Sequence, residues 1–153
     1  MTEAFLGGRA PLTEKEARLI SPLRLAYVGD AVHELFVRTR LTFDGGKAGA
    51  MHRAAVRTVN AAGQAQALER IGLWLTDDER DVVRRGRNAH AHHAPPKHAD
   101  PADYARATGL EALVGYLYLS GQMERLQALY QMMNEEPAEP PRRDGMRDGH
   151  GRV

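Results

Sequence analysis

Cysteine is absent from the 153-residue sequence. Its absence excludes disulfide bonds, cysteine-ligated zinc sites and thiol nucleophiles, and it is typical of proteins kept in a reducing compartment. The sequence also lacks a run of about 18 apolar residues, which a membrane-spanning helix requires. At the N-terminus there is no basic start followed by an apolar core, the pattern of a secretory leader. We therefore expect a cytoplasmic protein with no membrane partner.

The sequence also has no large excess of one charge, since its 21 lysine and arginine residues and 20 acidic residues give a net charge of +1. A surface that is basic throughout is excluded, so any contact with nucleic acid has to come from a local concentration of cations. The hydrophobic fraction of 42% is sufficient for the core of one domain.

The sequence also lacks the pattern of β-strands, because no segment alternates apolar and polar residues. Helix-start signals, in contrast, recur. Thr13 with Glu16, and Thr76 with Glu79, have the spacing of capping boxes. The sequence therefore predicts an all-α protein. We expect an N-terminal extension with a short helix (residues 1–20), a single helical domain (residues 21–133) and a disordered tail rich in proline, glycine and charge (residues 134–153).

Two segments of this domain allow more specific predictions. A helix begins at Pro22 with Ser21 as its N-cap, and apolar residues at helical spacing form its core stripe: Leu25, Val28, Val32, Leu35 and Phe36. Residues 47–70 are predicted to form one alanine-rich helix, of which Gly63 is the weak point.

A single acidic residue interrupts each of the two most apolar helices. Asp30 follows Gly29 in LRLAYVGDAVHELF, and Glu111 precedes Gly115 by one helical turn in ATGLEALVGYLYL. Glycine within a helix costs about 1 kcal/mol relative to alanine, but it lets another helix come close. If these two helices face each other, Asp30 and Glu111 repel unless a proton or a cation lies between them. A hard cation such as Mg²⁺ suits such a pair, while an ion-paired or capping role is the common alternative for either residue alone.

Cations are concentrated in one segment, residues 84–98 (RRGRNAHAHHAPPKH), which contains no acidic residue. Arg84, Arg85, Arg87 and Lys97 supply positive charge, and Asn88 adds a hydrogen-bonding amide. The alternatives for this segment are a solvated loop and, for its histidines, a transition-metal site. Phosphate binding is the favoured interpretation, and together with the paired acids it indicates phosphodiester hydrolysis.

The same stretches resemble the ribonuclease III family. LAYVGDAV is similar to that family's signature helix, close to LEFLGDAVL, and ATGLEALVGYLYL is similar to its second acidic motif, close to DxFEALxGAxYL. The similarity is greater to the Mini-III ribonucleases, which share the order LAYIGDAVYE, RGRNA, a PK element and ATxFEALIGYLYL. The resemblance extends over residues 21–133.

This resemblance implies the all-α ribonuclease III catalytic fold, a homodimer, and Mg²⁺-dependent cleavage of double-stranded RNA that leaves 5′-phosphate and 3′-hydroxyl ends. It also implies a role in the maturation of 23S ribosomal RNA precursors without a separate RNA-binding domain, and it leaves open whether a ribosomal protein takes part. By position, Asp30 and Glu111 are the expected catalytic and metal-binding residues. Ala26 and Thr108 stand where ribonuclease III proper has two further acids, which leaves the number of metal ions open. RNA binding is expected from Arg84, Arg85, Arg87, Asn88 and Lys97, in a loop.

Two other functions are compatible with the same sequence. A non-catalytic protein of this fold would bind double-stranded RNA or the ribosome without cleaving RNA, and the two missing acids favour it, whereas retention of Asp30 and Glu111 does not. A helical metal-binding or partner-binding bundle unrelated to RNA would not need Arg85, Arg87 or Lys97.

Overall fold

The computed structural model describes residues 6–89, 97 and 99–134. Within these residues the chain forms helices and no strand, which confirms the all-α prediction. A short 3₁₀ turn, Gly72–Trp74, follows the fourth helix. The α-helices are α1 (Glu14–Arg18), α2 (Pro22–Asp44), α3 (Ala48–Val59), α4 (Ala61–Ile71), α5 (Asp77–Asn88), α6 (Pro101–Leu119) and α7 (Met123–Asn134).

Helix α6 is the centre of the fold, and α2, α4, α5 and α7 pack around it. From position 107 to 117 every residue of α6 is buried except Glu111. Leu110, Leu113 and Leu117 are completely buried. A helix that is apolar on nearly all sides needs neighbours on all sides, so the other helices are arranged around α6.

Helices α2 and α6 meet backbone to backbone at Gly29 and Gly115. A Cβ atom on Gly29 would lie 1.7 Å from the carbonyl oxygen of Glu111 and 2.8 Å from the amide nitrogen of Gly115. A Cβ atom on Gly115 would lie 2.0 Å from the carbonyl oxygen of Leu25. Only a residue without a side chain fits at either position, which explains both of the glycines that the helix pattern left unexplained.

The predicted helix starts are confirmed. Thr13 and Glu16 form a reciprocal capping box before α1, and Thr76 and Glu79 form another before α5. Ser21 is the N-cap of α2, although its side chain makes no capping hydrogen bond. The structure thus begins these helices where the sequence predicts that they begin.

The prediction of one helix over residues 47–70 is wrong, because Asn60 interrupts the helix and separates α3 from α4. Asn60 has extended backbone angles, and its side-chain oxygen accepts a hydrogen bond of 2.8 Å from the amide of Gly63. Gly63 is inside α4, where a Cβ atom would lie 2.4 Å from the carbonyl oxygen of Arg57. Gly63 therefore permits a sharp corner between α3 and α4, and Asn60 caps the second helix.

The predicted core stripe of α2 is confirmed in part. Leu25 and Val32 belong to the core, and Val28 and Phe36 pack against it. The prediction that Leu35 belongs to the core is wrong, since 56% of its surface is exposed. The narrow stripe on α2 contacts α6 and leaves Leu35 beyond the reach of the neighbouring helices.

A buried polar pair joins α2 to α7. The Nδ1 atom of His33 shares a hydrogen bond with the hydroxyl group of Tyr130, and the ring of Phe36 stacks on Tyr130 with centroids 4.3 Å apart. His33 is 2% exposed. Burial lowers the pKa of His33 to about 4, and the nearby Glu34 carboxylate only partly opposes this effect. The imidazole is therefore neutral at pH 7.

Several predictions concern residues outside the described part of the chain. The predicted tail falls there from residue 135 onward, as do the histidines of the basic segment: His90, His92, His93 and His98. Among the described helices, none is long and apolar enough to cross a bilayer.

Replacing Gly29 by alanine should lower the free energy of unfolding by about 3 kcal/mol, because the new methyl group would overlap the backbone of α6. Urea denaturation measures the change. The matched control is Gly72→Ala, since no atom lies within 4 Å of the Cβ position at Gly72. Equal stability of the two variants would contradict the close contact.

Acidification should destabilise the protein through His33. Because its folded-state pKa of about 4 is below the unfolded value of 6.5, the unfolded chain takes up the proton first. The stability from neutral His33 is complete above pH 6.5 and is lost as the pH falls toward 4. Between pH 7.5 and 5 we expect this group to contribute a loss of about 2 kcal/mol.

Urea denaturation at the two pH values measures this loss. His33→Phe should remove this part of the pH dependence, whereas His52→Gln, at an exposed position of α3, should leave it in place. An unchanged slope in His33→Phe would assign the effect to other groups.

Candidate metal centre and basic surface

Asp30 and Glu111 line one cleft of about 440 Å³ between α2, α4 and α6. The crossing at Gly29 and Gly115 accounts for this arrangement, because each acid is adjacent to, or one turn from, the glycine of its own helix. The predicted meeting of these two side chains is thus observed. The cleft, called here the carboxylate cleft, is completed by Leu23, Ala26, Tyr27, Val59, Ala61, Gln64, Tyr104, Ala107 and Thr108.

The two acids are electrostatically coupled. Burial, and next the charge of Asp30, raise the pKa of Glu111 to about 7. Burial and the neighbouring Glu34 also raise the pKa of Asp30. Carboxyl groups with raised pKa values hold a proton or favour a nearby cation more strongly than isolated ones do. The arrangement is therefore suited to binding positive charge.

Gln64 is a member of this cleft that the sequence interpretation missed. Its side chain is 2% exposed, and its Nε2 atom donates a hydrogen bond of 2.7 Å to the carbonyl oxygen of Val59. Within the described part of the chain, its buried Oε1 atom has no hydrogen-bond partner. The Gln64 side chain also interacts with Glu111 and partly opposes the rise in its pKa. The signal in the sequence that could have indicated Gln64 is a polar amide four residues after the N-cap Asn60, within an alanine-rich helix.

Ala26 and Thr108 line the cleft but add no carboxylate. The hydroxyl group of Thr108 donates to the carbonyl oxygen of Tyr104, 3.1 Å away, in its own helix. Over residues 6–89, 97 and 99–134, no group of three or more His, Cys, Asp or Glu side chains could hold a metal ion. The charged donors that line the cleft are the carboxylates of Asp30 and Glu111. Oxygen donors alone suit a hard divalent cation that keeps several water ligands.

The cationic residues occupy a helix, which corrects the prediction of a loop that starts at Arg84. Arg84, Arg85, Arg87 and Asn88 belong to the last turns of α5. The acidic first turn of α5 and its basic last turn both favour the helix dipole, which explains why the helix continues through this segment. Lys97 is exposed, and the residues beside it are outside the described part of the chain.

The structure brings some of these cations together and separates another. Arg84 and Arg87 line a groove of about 550 Å³ to which Arg80 and Arg106 also contribute. Arg85 is half-buried and donates a hydrogen bond of 2.7 Å to the carbonyl oxygen of Arg18 at the end of α1. Its guanidinium group thus anchors α1, whereas Arg87 and Arg84 line the groove, Arg84 with an ion pair of 2.6 Å to Asp81.

Comparisons with known proteins identify the family of this chain. Residues 23–122 match the Ribonuclease III domain. Mini-ribonuclease 3 of Symbiobacterium thermophilum is 56% identical over 113 residues, which cover 73% of this chain and 86% of that protein. Mini-ribonuclease 3 of Thermoanaerobacter sp. is 40% identical over 129 residues, which cover 84% and 90%. A crystal structure of a Fusobacterium nucleatum protein superposes with a TM-score of 0.68 at 27% identity, covering 75% of this chain and 92% of that one. The chain therefore belongs to the ribonuclease III family of endoribonucleases and, within it, to the Mini-III ribonucleases.

Proposed function

We propose that this endoribonuclease uses Mg²⁺ at Asp30 and Glu111 to cleave double-stranded RNA, leaving 5′-phosphate and 3′-hydroxyl ends. The ribonuclease III family acts on double-stranded RNA and generally depends on a divalent metal. The observation that carries the assignment to these residues is the pairing of the two carboxylates in one cleft. The resemblance to Mini-III ribonucleases supports precursors of 23S ribosomal RNA as the substrate and the cytoplasm as the site of action.

Five residues of the cleft have a task in this mechanism. Asp30 and Glu111 hold the cation, and Gln64 orients the Glu111 carboxylate while its own amide is fixed to Val59. The small side chains at Ala26 and Thr108 leave space for water ligands in place of further carboxylates. When bound, Mg²⁺ supplies an activated water for in-line attack and stabilises charge on the phosphate.

The groove at the end of α5 would hold the RNA backbone. Duplex RNA is recognised mostly through its phosphates and 2′-hydroxyls, and the arginines of the groove offer planar donors that match a phosphate. We assign this contact to Arg84 and Arg87, and Asn88 and Lys97 stay predicted contributors. For Arg85 the contact with α1 accounts for the guanidinium group without RNA.

A homodimer is the second part of the proposal. Tyr27 and Leu23 line the carboxylate cleft and are 86% and 40% exposed, so they offer apolar surface next to the two acids. A two-fold axis near this surface would cover them and present two clefts to the two strands of a duplex.

Asp30→Asn and Glu111→Gln should each reduce the cleavage rate of a long RNA duplex in Mg²⁺ by at least about 100-fold, because each removes a metal-binding charge. Gel analysis of the products measures the rate, with EDTA as a second arm. Glu124→Gln, which changes an exposed acid of α7, serves as the control. Duplex binding without cleavage by any form, the wild type included, would establish the non-catalytic alternative.

Gln64→Leu should raise the Mg²⁺ concentration for half-maximal cleavage by about tenfold, since Glu111 loses the group that orients it. Gln127→Leu, at an exposed position of α7, is the control for the loss of a glutamine side chain. Thermal unfolding of both variants separates loss of structure from loss of metal affinity. If the two variants need the same Mg²⁺ concentration, Gln64 has no positioning role.

A further inference from the structure

A second cleft, of about 310 Å³, lies between α2, α3, α4 and the end of α7. Three arginines from three different helices line it: Arg40 of α2, Arg57 of α3 and Arg70 of α4. We refer to it as the arginine cleft. Among the described residues that line it, none is aspartate or glutamate. The cleft therefore concentrates positive charge away from the carboxylate cleft.

None of these three arginines forms an ion pair with a described carboxylate. The guanidinium groups of Arg40 and Arg57 make no hydrogen bond or ion pair with any described residue, and that of Arg70 donates one hydrogen bond of 2.7 Å to the carbonyl oxygen of Met133. Three guanidinium groups in one concavity repel one another, and a bound anion would relieve this repulsion. Elsewhere, six arginines each face a carboxylate: Arg18, Arg38, Arg80, Arg84, Arg106 and Arg125.

One buried polar atom in the lining of the arginine cleft also lacks a hydrogen-bond partner. His33 lines the cleft and is 2% exposed, and its Nε2 atom has no hydrogen-bond partner within the described part of the chain. Buried polar atoms are normally hydrogen-bonded, and one without a partner needs an explanation. The stacked rings of Phe36 and Tyr130 hold His33 in place next to the arginines.

We propose that the arginine cleft is a phosphate-binding site separate from the catalytic centre. Guanidinium groups bind phosphate oxygens through paired, charge-assisted hydrogen bonds, and three of them surround a volume sufficient for a phosphate group. Arg40 follows Asp30 by ten residues in α2, which places the two positions about 15 Å apart along the helix axis. The phosphate comes either from the backbone of bound RNA or from a free phosphate or nucleotide.

Titration calorimetry with inorganic phosphate, in Mg²⁺-free buffer, tests the site directly. The double variant Arg40→Gln/Arg57→Gln should bind phosphate at least about tenfold more weakly than the wild type. Arg38→Gln, which removes an exposed arginine of α2 already paired with Glu34, should bind as the wild type does. No saturable binding by the wild type, or equal binding by the double variant and the control, would overturn the proposal.

A second arm identifies the source of the phosphate by measuring affinity for an RNA duplex at fixed salt in EDTA. A loss of affinity in the double variant, relative to Arg38→Gln, assigns the site to the RNA backbone, an assignment that rests on the proposed function. Unchanged RNA affinity assigns it to a free phosphate or nucleotide.

Two further measurements keep this test interpretable. Circular dichroism checks the fold of the double variant, and the single exposed substitution Arg57→Gln replaces it if it unfolds. Asp30→Asn should retain phosphate binding whether or not it cleaves RNA, so failure of the catalytic assignment and failure of the phosphate site are distinguishable.

Discussion

The contact between the backbones of α2 and α6 at Gly29 and Gly115 determines the arrangement of the site. Side chains of ordinary size would keep the two helix axes roughly 8 to 10 Å apart, whereas glycine at the crossing lets backbone atoms touch. This close approach places Asp30 of one helix and Glu111 of the other in the same cleft. Glycine destabilises each of the two helices, but burial around α6 offsets this loss. The same two glycines bring the carboxylates of Asp30 and Glu111 together.

Charge is distributed unevenly around this crossing. The carboxylate cleft contains two acids whose raised pKa values indicate an environment that favours a proton or a cation. The groove at the end of α5 instead contains four arginines beside Glu69, and the arginine cleft contains three arginines. A nearly neutral chain thereby presents one site suited to a metal and two surfaces suited to phosphate, which is consistent with action on a polyanion.

Local sequence signals were sufficient for much of the fold. Capping boxes at Thr13 and Thr76 and the proline at position 22 place helix starts, because they depend only on residues within one turn. The meeting of Asp30 and Glu111 could also be anticipated, since a glycine beside each acid indicated close packing. The corner at Asn60 was missed although its signals are local, since Asn60 is a favoured N-cap residue and Gly63 follows three positions later. The alanine-rich residues on both sides favour helix and concealed these signals.

Other parts of the site depend on contacts between distant residues. Gln64 acquires its place in the cleft only when the corner at Asn60 turns α4 toward Glu111. Arg85 resembles Arg84 and Arg87 in sequence, yet the carbonyl oxygen of Arg18, 67 positions away, removes it from the groove. Periodicity within one helix contains no information about either contact.

Binding of Mn²⁺, followed by electron paramagnetic resonance, tests most directly whether Asp30 and Glu111 form a metal centre. The ion serves as a spectroscopic substitute for Mg²⁺ and needs no RNA. Wild type and Glu124→Gln should bind Mn²⁺ with the same affinity, and Asp30→Asn and Glu111→Gln should each lose at least about tenfold. Equal Mn²⁺ binding by all four proteins would contradict the assignment of the metal to this pair of carboxylates.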